Sequence, residues 1–152
     1  MTYWRMQLHP SDPGGALKHT VESLVAGYIG LDFAKDVGDL RRTTQEALPR
    51  NAKDYWAFSA EMAIGDRVLI IVHHFPFAIA TITGDYNYIR ERAPEIGVWF
   101  RHFRRVDKLE YYGDRVTDAK HWERIMMTDT ISPLRSASSK SYKLICSWPE
   151  PE

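Results

Sequence analysis

The sequence predicts an α+β fold: a curved, mostly antiparallel sheet or small barrel flanked by helices. Three observations carry this. Helical periodicities fall mostly before residue 64, after one opening strand, and the chain then runs through several strand-like segments in succession. No regular strand–helix alternation is present, so a doubly wound parallel sheet is not expected. At 152 residues and 44% hydrophobic, the chain can build one ordinary packed core.

Thr2 to His9 alternates and reads as a first strand, and Pro10 to Gly15 is a turn punctuated by Pro and Gly. Ala16 to Ala26 places Leu17, Val21, Leu24 and Val25 at helical spacing, with Gly27 as its C-cap. Tyr28 to Phe33 is a short strand. Asp36 to Leu48 reads as a polar helix ended by Pro49, and Asp54 to Ala63 as a second short helix. Arg67 to His73 is a buried strand, apolar from Val68 to Val72 and mostly β-branched there, with a turn at His74 to Pro76 and a strand over Phe77 to Thr83 after it. Gly84 to Glu95 is a polar loop carrying Tyr86 and Tyr88. Val98 to Val106 is a further strand, and Asp118 caps a helix to Met127. Ser132-Pro133 suits the first turn of a last short helix. The domain is expected over residues 1–135, with 136–152 a loosely held tail in which Tyr142 to Trp148 docks as an edge strand.

Lys plus Arg and Asp plus Glu number 20 each, so bulk charge gives no basic excess of the kind that coats a duplex. A grip on one extruded base needs only a local patch. The single cysteine, Cys146, excludes an internal disulfide and any Cys-based zinc site. No apolar run reaches membrane-spanning length, and the start lacks the apolar stretch of a signal peptide, so no membrane partner and a cytoplasmic location are expected.

Motifs for catalysis are missing. There is no dinucleotide fingerprint, P-loop or nucleophile elbow. His73-His74 would point to opposite faces of a strand, and His9, His19, His102 and His121 lack zinc spacing. Asp107-Lys108-Leu109-Glu110 lacks the order of a nuclease centre. Neither a cofactor nor a metal is expected.

Five segments together carry a resemblance. They are Tyr3-Trp4-Arg5; Gly27-Tyr28-Ile29-Gly30-Leu31-Asp32-Phe33; Trp56-x-Phe58 with Met62-Ala63-Ile64-Gly65-Asp66-Arg67-Val68-Leu69 after it; Ala80-Thr81-Ile82-Thr83-Gly84-Asp85-Tyr86-Asn87-Tyr88; and His102-x-Arg104-x-Val106. The ordered set resembles EVE-like members of the PUA superfamily, kin of YTH and ASCH domains. It is especially similar to the domain at the N-terminus of Mrr-like and other modification-dependent restriction proteins. The resemblance covers roughly residues 3 to 108 and does not extend to 109–152. It implies a PUA-like barrel with a concave pocket beside the first helix, where a flipped, often methylated, base lies between aromatic rings.

A flipped-base pocket needs flat apolar faces to replace lost stacking and polar groups to read the base edge. On the resemblance, Tyr28 and Asp32 lie on the pocket-wall strand, with Asp32 an acceptor for an exocyclic amine or, alternatively, a turn residue. Trp56 lines the pocket or packs its helix. Tyr86 and Tyr88, at alternate positions, stack on the base or form a flap over the barrel. Trp99 joins the cage or the core, and Trp4 belongs to the core. In the run Arg101 to Arg105, Arg101 and Arg105 share a face with Phe103, while Arg104 and His102 share the other. Arg101, Arg104 and Arg105, extended by Arg41 and Arg42, are the candidate phosphate contacts.

The expected function is thus a non-catalytic reader of a modified base in DNA, with a nuclease domain or subunit as a further partner. An RNA reader of YTH or PUA type stays open. So does a small ASCH-like hydrolase using Lys35 with Asp32 and Asp36, and so does a domain that binds small molecules or protein.

Overall fold

The computed structural model describes residues 1–8, 15–32, 36–49, 52–126 and 129–148. The turn expected over residues 10–15 lies almost wholly outside them, as do His9, Phe33 and Lys35. The elements are β1 (Tyr3–Met6), α1 (Ala16–Ala26), β2 (Tyr28–Leu31), α2 (Lys53–Trp56), β3 (Arg67–Val72), β4 (Phe75–Ile82), β5 (Asn87–Tyr88), β6 (His102–Tyr111), β7 (Ile131–Pro133) and α3 (Lys140–Ser147).

The seven strands form one curled mixed sheet in the order β2-β6-β4-β3-β1-β7, with β5 pairing β6 beside this path. Among the described residues only β1 and β3 pair in parallel. The α+β expectation holds, as a half-barrel: among the described residues no pairing closes β2 onto β7.

β3 explains why its sequence is apolar throughout. Val68 and Ile70 face a core shared with Trp4, Met6, Ile29 and Phe58, while Leu69 and Ile71 face another with Ile79, Tyr112, Ile145 and Trp148. A strand covered on both faces shows no alternation. Asp66, just before β3, joins three segments: its carboxylate accepts from Trp4 Nε1 at 2.9 Å, the Thr2 amide at 2.8 Å and the Ala63 amide at 2.9 Å. α1 ends as its sequence predicts, with Gly27 left-handed at φ 89° and its N–H bonded to the Leu24 carbonyl at 3.0 Å.

Several expectations are corrected. Residues 36–48 make only two 3-10 turns, Leu40–Arg42 and Gln45–Ala47, because the Asp39 side chain caps a new start and Thr43 and Thr44 are extended between them. Asp118 does act as a cap, accepting from the Lys120 amide, but the helix stops after Ala119–His121. Ser132-Pro133 lies in β7 rather than opening a helix. The strand expected over 98–106 starts at His102 and continues to Tyr111, bending at Lys108 (φ 50°), where its register with β4 shifts. The tail is a helix, not an edge strand. Ser139 caps α3 by accepting from the Tyr142 amide at 3.1 Å, and Ile145 and Trp148 are buried against the outer core. α2 runs directly into a wide π-helical turn, Ala57–Glu61, in which the Met62 amide reaches back to the Ala57 carbonyl at 2.9 Å.

The β3–β4 hairpin turns through His73 and His74, both left-handed at φ 51° and 67°. Such a two-residue turn favours Asn-Gly, and left-handed backbone costs an ordinary residue about 1–2 kcal/mol. The double substitution His73→Asn, His74→Gly is therefore expected to raise stability by about 1–2 kcal/mol in urea unfolding. An unchanged or lowered midpoint would mean the imidazoles make compensating contacts.

Candidate functional site

β6 begins at His102, opposite Leu31 at the end of β2 and Tyr88 of β5. His102 is in phase with Arg104 and Val106, so its ring turns inward, where it is 0% exposed. Three tyrosines surround it, with ring centroids 4.7 Å (Tyr55), 5.1 Å (Tyr88) and 5.9 Å (Tyr86) away. The Tyr86 hydroxyl lies 2.7 Å from His102 Nδ1 and accepts the Leu40 amide at 3.2 Å. The Tyr86 hydroxyl can donate to Nδ1, and the Asp36 carboxylate facing Nε2 favours the neutral tautomer that carries its hydrogen on Nε2. That Nε2 is buried without a hydrogen-bond partner among the described residues. Asp36 Oδ1 stands 4.0 Å from it, beyond bonding reach. Burial pushes the His102 pKa down to about 4, outweighing the pull of Asp32 and Asp36.

Beside the histidine lies a charged cluster. Asp32 has no exposed surface and is held by Arg92 and by Arg101 Nε at 2.9 Å. Arg101 also reaches Asp36, Nη1 to Oδ2, at 3.3 Å. Asp36 accepts the Tyr88 hydroxyl at 2.7 Å and the Gly38 amide at 2.9 Å. Burial raises its pKa, but those two hydrogen bonds and the Arg101 charge outweigh it, so the carboxyl sits below its ordinary range.

The structure thus brings Asp32, Tyr86, Tyr88 and Arg101 together around His102. Asp32 is not a free acceptor, since two guanidiniums occupy it. Tyr86 is 5% exposed and offers no open stacking face. Tyr88 is half-buried, as is Trp56, the neighbour of Tyr55 on α2. Tyr28 lies on the opposite face of β2, edge-on to Phe103 at 5.5 Å and under Arg105 at 5.0 Å. Trp99 docks on α1: its Nε1 donates to Glu22 at 2.6 Å and its ring stacks on His19 at 4.1 Å. Neither joins the cluster. Arg104 is not placed to meet a phosphate, being 3% exposed and bonded to the carbonyls of Gly84, Phe58 and Met62. Arg41, Arg42 and Arg105 are exposed, although Arg41 pairs with Asp39 at 2.9 Å.

His102, Tyr55 and Arg92 were not among the residues the sequence marked for this site, and Asp36 entered only with the hydrolase alternative. The signal for His102 was its phase, which it shares with the inward Val106. The Lys35 of that alternative lies outside the described residues. Among the described residues no three His, Cys, Asp or Glu side chains are placed to hold a metal ion, and no helix is long and apolar enough to cross a membrane.

The sequence matches the family model of a domain of unknown function, DUF8426, over residues 4–135, and the chain belongs to that family. α3 lies beyond the matched range. No curated protein matches the sequence.

The depressed His102 pKa makes stability pH-dependent. The folded value, about 4, lies below the ordinary 6.5. The contribution is therefore complete above about pH 6.5 and is lost as pH falls toward 4, because the unfolded chain takes up a proton that the folded one refuses. Between pH 7 and 4.5 urea unfolding should lose about 2–3 kcal/mol to this group. In His102→Gln that part of the slope should vanish. An equal slope in both proteins would place the titration elsewhere.

Proposed function

We propose that this domain is a PUA-like, non-catalytic reader of a modified nucleobase in DNA, holding the base out of the duplex beside His102. The observation that supports this best is the buried Nε2 of His102, unmet by any described residue and ringed by tyrosines. A donor of this kind is costly to bury and gains a partner when a base edge arrives. The half-buried ring of Tyr88 offers a stacking face, and the exposed Arg41, Arg42 and Arg105 are available to phosphates. The other polar groups of the cluster hold the histidine in place. The reading has no role for a cofactor, and it leaves room for a separate nuclease partner to cut what this domain finds.

The test is a titration against duplexes of one sequence that differ in a single base. The base is unmodified or carries 5-methyl-, 5-hydroxymethyl- or N4-methylcytosine or N6-methyladenine, and N6-methyladenosine RNA runs in parallel. Tryptophan fluorescence reports binding. One modified duplex should bind at least about tenfold tighter, and Tyr88→Ala should remove about 1–3 kcal/mol of that affinity. Arg41→Ala with Arg42→Ala should weaken all duplexes alike and flatten the salt dependence. Tighter binding of the RNA than of every duplex would replace DNA by RNA as the partner. Uniformly weak binding would reject the reading.

A further inference from the structure

At this site several donors converge on one carboxylate. Asp36 Oδ2 accepts from the Tyr88 hydroxyl at 2.7 Å and lies 3.3 Å from Arg101 Nη1, while Oδ1 accepts the Gly38 amide at 2.9 Å and faces His102 Nε2 at 4.0 Å. Three of these donors sit on or beside the sheet and are fixed independently of Asp36. Arg101 Nε is locked on Asp32, His102 is held through Nδ1 by Tyr86, and Tyr88 is paired in β5. The carboxylate comes from an exposed loop residue whose side chain is 30% exposed. That partial exposure gives the side chain a route into water. When it leaves, Arg101 keeps Asp32, so no buried charge is stranded.

The carboxylate fills this donor cradle incompletely. Its oxygens meet Tyr88, Arg101 and Gly38, but Oδ1 stands too far from His102 Nε2 to bond it, and that nitrogen is left buried without a hydrogen-bond partner among the described residues. We infer that Asp36 is an internal stand-in for the ligand, occupying the cradle of Arg101 and His102 until a base edge rich in acceptors displaces it and frees the Tyr88 ring to stack on the base. A carbonyl oxygen beside an unprotonated ring nitrogen is such an edge. The identity of the ligand rests on the nucleobase reading; the cradle and its occupant do not. Because Asp36 competes in cis, its removal strengthens binding; had it touched the ligand itself, its removal would weaken binding.

The experiment compares wild type with Asp36→Ala in the same duplex titration, with thermal unfolding confirming both folds. Asp36→Ala is expected to bind the preferred duplex on the order of tenfold tighter. Unchanged or weaker binding, with the wild-type preference intact, overturns the stand-in and leaves the reader. A second arm uses acetate alone. It should shift the His102 imidazole NMR signals of Asp36→Ala at concentrations that leave wild type unchanged. If acetate does so while no oligonucleotide binds either protein, the cradle stands and the nucleobase reading falls. If acetate moves neither protein, the cradle falls.

Discussion

A carboxylate with no exposed surface sets the layout of one end of this sheet. Asp32 comes directly after β2 and is completely buried. An ionised group there is tolerable only when paired, and two arginines from distant parts of the chain provide the pairing. Arg101 precedes β6, so the pairing sets where that strand enters. Its second contact, to Asp36, draws the loop after β2 across the strand ends. The loop is then pinned twice by tyrosines from one short segment: Tyr88 on Asp36, and Tyr86 on Leu40. His102 lies at the centre of this lattice, with one ring nitrogen bonded to Tyr86 and the other 4.0 Å from the Asp36 carboxylate.

The middle of the sheet depends on different physics. There β3 is sandwiched between two apolar layers, and the inner one is closed by the three hydrogen bonds that Asp66 accepts. The outer layer is completed by α3, whose Trp148 is fastened to Glu110 together with Arg115. The polar lattice therefore stands at the margin of a structure whose stability lies elsewhere. Such a margin can keep an unmet donor that the centre could not tolerate.

Local features were legible in the sequence, and long-range ones were not. The spacing of Leu17, Val21 and Leu24 with Gly27 behind them located α1, and the unbroken run Val68 to Val72 located a buried strand, because each signal lies within a dozen residues. The segment 36–48 misled for an equally local reason: Asp39 and the two threonines compete with a continuous helix by capping and extending. In the tail, Ser139 with Tyr142, Ile145 and Trp148 after it already held a cap and a three-residue apolar spacing, overshadowed by the surrounding Ser and Lys. The site draws on residues 32, 36, 55, 86, 88, 92 and 101, whose meeting is set by strand pairing. The resemblance named Asp32, Tyr86 and Tyr88, and alternation in the basic run named Arg101 as a phosphate contact, but neither could show that arginines would occupy Asp32 or that His102 would be the centre. Arg104 misled because alternation tells which face a side chain takes, not whether backbone carbonyls await it there.

Two of those carbonyls, of Phe58 and Met62, come from the wide turn after α2 and its end. Each residue advances an ordinary α-helix by about 100°, and the π turn holds one residue more than an α turn between its bonded ends. That surplus residue acts as a phase adjuster between a helix that ends at Trp56 and a carbonyl pair, Phe58 and Met62, that must face Arg104. Removing any one residue from 57–61 would let the turn close in regular α geometry and swing Met62 by about a quarter turn. The helix would be improved locally, while the guanidinium beneath it would lose its lid. Chain length in this short stretch is thus under tighter constraint than the identity of its residues.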